Sequence, residues 1–152
     1  MLALEAKIPA PIVAFVVVGV MRLLTPSVAS PAAGSPRDLI YAAIALISGA
    51  IAVAAFFSFW RAKTTFDPRH PERASALLTR GVFRLTRNPL YLSLALLLLA
   101  DAVKLGSLVA FVGLPFFIAY ITRFQILPEE RAMQAKFGDA WTHYASSVRR
   151  WI

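Results

Sequence analysis

The chain has 152 residues, 59% of them apolar, with a mean hydropathy of +0.66 and a formal net charge of +8. Soluble domains average about 45 to 50% apolar, so this is membrane-protein composition, and the length accommodates a single domain spanning residues 1–152. With no Cys, disulfides, thiolate nucleophiles and Cys-based zinc sites are excluded.

The first apolar run, residues 8–24, opens with Pro9 and Pro11, which a first helical turn tolerates because its N–H groups lack intrahelical partners. Small residues follow it (Ser27, Ala29, Ser30), as at a leader cleavage site, but Glu5 offsets Lys7 and Pro31 would follow the cut. The run is therefore expected to be retained as a span. A second run, residues 39–60, is long enough to cross a hydrocarbon core about 30 Å thick. Residues 61–89 then carry seven basic residues: Arg61, Lys63, Arg69, Arg73, Arg80, Arg84 and Arg87.

Next comes a long apolar block interrupted by Asp101, Lys104 and Gly106. It predicts a tight hairpin of two helices, residues 90–103 and 105–127, with the charges at the far turn. Four spans place Lys7, the 61–89 loop and the tail on one side, which then holds 13 of the 16 basic residues and leaves Arg22, Arg37 and Lys104 opposite. The positive-inside rule makes that side cytoplasmic. Basic residues flanking apolar runs fit membrane orientation and count against a nucleic-acid partner. From Pro128 the tail reads as an interfacial helix over 128–148, with Met133, Phe137, Trp141, Tyr144 and Val148 at helical spacing on one face. The expectation is an all-α, multi-pass integral membrane protein of about four transmembrane helices plus a C-terminal interfacial helix.

Two short segments carry the chemistry. Arg87-Asn88-Pro89-Leu90-Tyr91 precedes the third span and Pro128-Glu129-Glu130 follows the fourth, so a hairpin brings them together on the cytoplasmic side. Each residue has an ordinary explanation. Glu129 and Glu130 suit a first helical turn, Arg87 a snorkelling cation, Asn88-Pro89 a helix start, and Tyr91 an interfacial aromatic. Their placement at both ends of one hairpin suits a small zwitterionic cofactor and makes the combination harder to dismiss than any one residue. His70 and His143 are isolated and no metal-ligand spacing occurs, so no metal is expected. Phosphate-cradling and nucleophile-elbow motifs are also missing.

The run Gly81-Val82-Phe83-Arg84-Leu85-Thr86-Arg87-Asn88-Pro89-Leu90-Tyr91-Leu92-Ser93, then Glu129-Glu130, then Phe137-Gly138 and Tyr144, resembles the isoprenylcysteine carboxyl methyltransferase family and its phospholipid N-methyltransferase relatives. Their pattern runs G-x-Y-R-x-x-R-H-P-x-Y-x-G, then E-E, then F-G-x-x-Y-x-x-Y. The similarity spans about residues 64 to 152 and includes Pro71-Glu72-Arg73-Ala74. Asn88 stands for the commoner His, Phe83 for Tyr, Trp141 for the first Tyr of the tail and Ser93 for Gly. Arg149 and Arg150 lie where relatives often have a proline.

The resemblance implies S-adenosyl-L-methionine as methyl donor, bound on the cytosolic side between the hairpin and the tail. It implies that Arg87, Asn88, Pro89 and Tyr91 frame the cofactor and that Glu129 and Glu130 meet its ammonium group. Trp141 and Tyr144 can then face the sulfonium, and Arg87, as the catalytic candidate, can orient an acceptor carboxylate bidentately. The expected acceptor is lipophilic, most simply the carboxylate of an isoprenylcysteine-like substrate. A phospholipid amine is the nearest alternative, although it must lose a proton and Asn88 cannot serve as a base near neutral pH. A noncatalytic helical membrane protein retaining the same frame is the alternative of another class.

Overall fold

The computed structural model describes residues 8–25, 32–63 and 76–152. Lys7, the residues of the leader-like stretch from Ser27 to Pro31, Arg69, His70 and the Pro71–Ala74 segment lie outside the described residues. Those described form an all-helical structure with no strands, 79% helix.

Helix α1 (Ala10–Leu24) starts at Pro9, whose carbonyl accepts from Ile12 N–H at 2.9 Å. It buries Ala10, Val13, Ala14, Val17 and Met21, a stripe at helical spacing. Gly113 lets a later helix approach that stripe, since a β-carbon there would lie 2.6 Å from Met21 Sδ. Helix α2 (Pro36–Arg61) begins three residues before the apolar run because Ser35 caps it: its hydroxyl accepts from Asp38 N–H at 3.2 Å, with Pro36 in the first turn. At about 1.5 Å per residue its 26 residues exceed the roughly 30 Å hydrocarbon core. Its outer face leaves Leu46, Phe56 and Trp60 exposed, as a lipid-facing surface requires.

Helix α3 (Pro89–Leu105) packs along α2, with Ser48 Oγ donating to the Ser93 carbonyl at 2.8 Å. Asp101, expected at the hairpin turn, instead lies buried on α3 and pairs with Arg22 of α1 at 2.5 Å. A carboxylate on an apolar helix needs such a partner. The turn falls at Gly106, whose φ of 64° is left-handed.

The return arm comprises α4 (Leu108–Phe111), α5 (Gly113–Ile121), a π-helical segment (Thr122–Ile126) and α6 (Leu127–Phe137). Together they run as one helix from Leu108 to Phe137. This corrects the expected tail helix over 128–148. Pro128 does not break the chain, because the π turn absorbs it: Leu127 N–H reaches back five residues to the Thr122 carbonyl, opening the register just ahead of the ring. The break comes at Gly138, with φ 51° and ψ −122°, after which α7 (Asp139–Ser147) begins. The apolar tail stripe is thus shared between two helices, with Trp141 and Tyr144 buried and Met133, Phe137 and Val148 half-buried.

Among the described residues, two helices, Pro36–Arg61 and Leu108–Phe137, are long and apolar enough to cross a membrane. The core between α1, α3 and α5 gathers Val17, Ala95, Leu98, Phe117 and Ile121. It holds the α3 start beside the α6 start.

Candidate functional site

The approach to α3 is fixed from both sides. A 3₁₀ turn over Gly81–Arg84 buries Phe83 edge-on against Phe59 of α2, with ring centroids 5.5 Å apart. The Phe83 carbonyl accepts from the Tyr144 hydroxyl of α7 at 2.7 Å. Burial pushes that hydroxyl up to about 12, with the Arg87 charge pulling the other way. Tyr144 is therefore a neutral donor near pH 7, pinning the tail onto the segment ahead of Arg87.

Asn88 precedes Pro89, the first residue of α3, but its side chain does not cap the helix. Its Nδ2 donates instead to the Arg150 carbonyl at 2.9 Å. Thr86 is buried; its hydroxyl donates to the same carbonyl at 3.2 Å and accepts from Asn88 N–H at 3.1 Å. Pro89 is buried at the helix start. Tyr91 is buried too, with its hydroxyl on Glu129, so it is no interfacial-belt aromatic.

Both carboxylates of the α6 first turn face this segment. Glu130 accepts from Arg150 at two points, Nε at 3.0 Å and Nη2 at 2.7 Å, and meets Arg87 Nη1 at 3.3 Å. Pairing with Glu130 raises the Arg150 pKa, keeping that guanidinium charged. The Arg87 guanidinium also lies 5.7 Å from the Trp141 ring centroid, and Trp141 packs edgewise on Tyr144 at 5.8 Å. Arg87 Nε is buried with no acceptor among the described residues.

All eight sequence candidates (Arg87, Asn88, Pro89, Tyr91, Glu129, Glu130, Trp141 and Tyr144) therefore belong to one connected cluster. Arg87 is committed to Glu130 and the Trp141 face. Sequence reasoning missed Thr86 and Arg150. Arg150 stood out only as a basic tail residue, and no spacing rule points from it to a carboxylate 20 residues earlier across the Gly138 break.

Beneath the 3₁₀ turn runs an open apolar groove of about 770 Å³, lined by Ile47, Ala50, Ile51 and Ala54 of α2 and by Val82, Arg84 and Leu85. Among the described residues no group of three or more His, Cys, Asp or Glu converges.

Residues 38–140, from the first turn of α2 into α7, match the phospholipid methyltransferase family. The chain belongs to that family. It is a membrane methyltransferase, and its family's acceptors are of lipid type. The matched region contains Arg87–Tyr91 and Glu129–Glu130, whereas Trp141, Tyr144 and Arg150 lie beyond it. A stretch of 63 residues is 46% identical to an uncharacterized protein of Haemophilus influenzae, covering 41% of the methyltransferase and the whole of that protein. No solved structure matches it.

Proposed function

We propose that this methyltransferase moves a methyl group from S-adenosyl-L-methionine to the polar head of a lipophilic acceptor at the cytoplasmic surface of a membrane. The supporting observation is the convergence of Arg87 and Arg150 on Glu130, beside Tyr91 on Glu129 and under the Trp141 ring. The donor carries an ammonium, a carboxylate and a sulfonium, and the cluster offers carboxylates, guanidinium groups and aromatic faces in direct contact. The buried Arg87 Nε still lacks an acceptor, so the residues present fit such a ligand. When bound, the donor supplies a methyl group open to direct displacement. Glu129 and Glu130 would hold its ammonium, while Trp141 and Tyr144 would face the sulfonium. Arg87 and Asn88 fix Glu130 and the tail in register, and orientation of this kind accounts for much of the rate in a displacement reaction.

The acceptor we favour is a carboxylate of the isoprenylcysteine type. Glu130 is held by two arginines, Glu129 by Tyr91, and Asn88 by the Arg150 carbonyl. An acceptor that arrives already deprotonated needs none of them as a base. A phospholipid amine is the second reading, favoured by the description of the family itself. In either case the acceptor's apolar chain would lie along the α2 groove. The accompanying topology is one domain with four spans, α1 to α3 and the Leu108–Phe137 helix, and with the 61–89 loop and tail cytoplasmic.

The test uses detergent-purified protein, a methyl-labelled donor, and farnesylcysteine or phosphatidylethanolamine as acceptor. A base-labile product is the expected ester. A base-stable product makes the amine the acceptor, and no transfer to either despite donor binding would overturn both acceptor readings.

A further inference from the structure

The strap Val148–Trp151 lies beyond the family match at 38–140, yet it is fastened to the site at four points. Arg87 N–H donates to the Arg149 carbonyl at 3.0 Å, and the Thr86 hydroxyl and Asn88 Nδ2 donate to the Arg150 carbonyl at 3.2 and 2.9 Å. Trp151 Nε1 donates to Thr122 Oγ1, in the π segment, at 3.2 Å. None of these bonds uses the Arg150 side chain. The backbone beneath the guanidinium is therefore fixed independently of what the guanidinium binds, which lowers the entropy cost of holding a long side chain in one place.

That side chain presents one edge to Glu130, with Nε and Nη2 each on a carboxylate oxygen. A guanidinium has five N–H donors in a planar fork, and this contact uses two. The opposite edge, formed by Nη1 and the second Nη2 hydrogen, has no protein acceptor among the described residues. The Arg150 side chain is 35% exposed, against 16% for Glu130 and 13% for Arg87. Of the two cations on Glu130, Arg150 is the more exposed and offers a free edge to an incoming ligand, whereas the unpaired Nε of Arg87 is buried. Recognition of an α-amino-acid group requires a carboxylate for its ammonium and a cation for its carboxylate, side by side. Glu130 and Arg150, in bidentate contact, are such a pair.

The geometry points to Arg150 as the residue that binds the donor's α-carboxylate. Its outer edge holds that carboxylate while its inner edge keeps Glu130 in place for the neighbouring ammonium. This rests on the donor-site reading above and extends it: the strap becomes part of the cofactor site and sets its preference for a ligand with an intact amino-acid end.

Calorimetry on the full chain in detergent tests this with S-adenosylhomocysteine and its decarboxylated analogue, which keeps the amine but lacks the carboxylate. The readout is the ratio of the two affinities, which a partial loss of folded protein does not alter. Wild type should prefer S-adenosylhomocysteine, and Arg150→Ala should reduce that preference about ten- to hundredfold, the worth of a hydrogen-bonded charge contact. Arg150→Lys, which keeps the charge but loses the fork, should retain part of it. A ratio unchanged in Arg150→Ala would overturn the assignment, as would tighter binding of S-adenosylhomocysteine, which would make Arg150 a plug. If wild type binds neither ligand, the donor-site reading itself falls.

Discussion

Replacing Glu130 by Gln preserves the shape of the side chain and removes its charge. Three N–H contacts depend on that charge: Arg87 Nη1 at 3.3 Å, Arg150 Nε at 3.0 Å and Arg150 Nη2 at 2.7 Å. The amide oxygen can still accept on one side, but its NH₂ group must then face a guanidinium donor, so one of the two Arg150 bonds is lost and the others weaken. A hydrogen bond to a charged group is worth about 1.5–3 kcal/mol, and the partial exposure of Arg150 screens its share. A stability loss of about 2 kcal/mol follows, which for a chain of this size lowers Tm by roughly 4–8 °C. Donor binding should fall further than stability does, because the variant also loses the ammonium's counter-charge; we expect about ten- to hundredfold weaker S-adenosylhomocysteine binding. Differential scanning fluorimetry and calorimetry on the same detergent preparation separate the two effects. Unchanged affinity with a lowered Tm would refute the reasoning, leaving Glu130 as a clamp for two arginines and nothing more.

Tyr144→Phe removes the bond to the Phe83 carbonyl and should cost about 1 kcal/mol. Because burial raises the Tyr144 pKa from 10.0 to about 12, wild type's advantage should hold below pH 10 and shrink between pH 10 and 12 as the unfolded phenol ionises first; thermal melts of both proteins across that range give the comparison, and a constant difference would contradict it. Gly113→Val drives a side chain against Met21 and Val17 at the α1–α5 contact and should destabilise by about 1–3 kcal/mol; an unaltered melt would mean that α1 is not held there. Ala54→Trp fills the α2 groove, so methyl transfer to a long-chain acceptor should drop while S-adenosylhomocysteine binding persists, and equal activity on long and truncated acceptors in both proteins would disconnect the groove from the reaction.

Much of this architecture is legible in the sequence because apolar runs and prolines act locally. The α2 span, a helical hairpin after Pro89, and the meeting of Arg87–Tyr91 with Glu129–Glu130 all follow from hydropathy and one hairpin, although the turn falls at Gly106 rather than between residues 103 and 105. Reading Pro128 as the start of a separate helix failed for a reason that is not local. Whether a proline ends a helix depends on whether the turn before it can change register, and here five residues, Thr122–Ile126, do so within a packed arm that Trp151 joins from 29 positions away. Asp101 misled in a related way: a charge in an apolar run suggests a boundary, but with Arg22 opposite it can remain inside the helix.

Arg150 marks where pattern reading stops, and the reason is geometric. Glu130 and Arg150 are 20 residues apart, far from the three- or four-residue spacing at which helical neighbours meet. They touch because Gly138 takes φ 51° and ψ −122° and turns α7 back, Tyr144 fastens it to Phe83, and Thr86 and Asn88 hold the Arg150 carbonyl. Asn88 makes the point most directly. As a residue before proline it reads as a helix cap, and as the counterpart of a histidine it reads as a weakened acid–base group. In the folded chain its amide does neither: it holds the strap that carries the second cation to Glu130. At that position an amide N–H is suited to the task at any pH, whereas an imidazole would change its hydrogen-bonding with protonation. Asn88 therefore holds the strap through a contact that does not titrate.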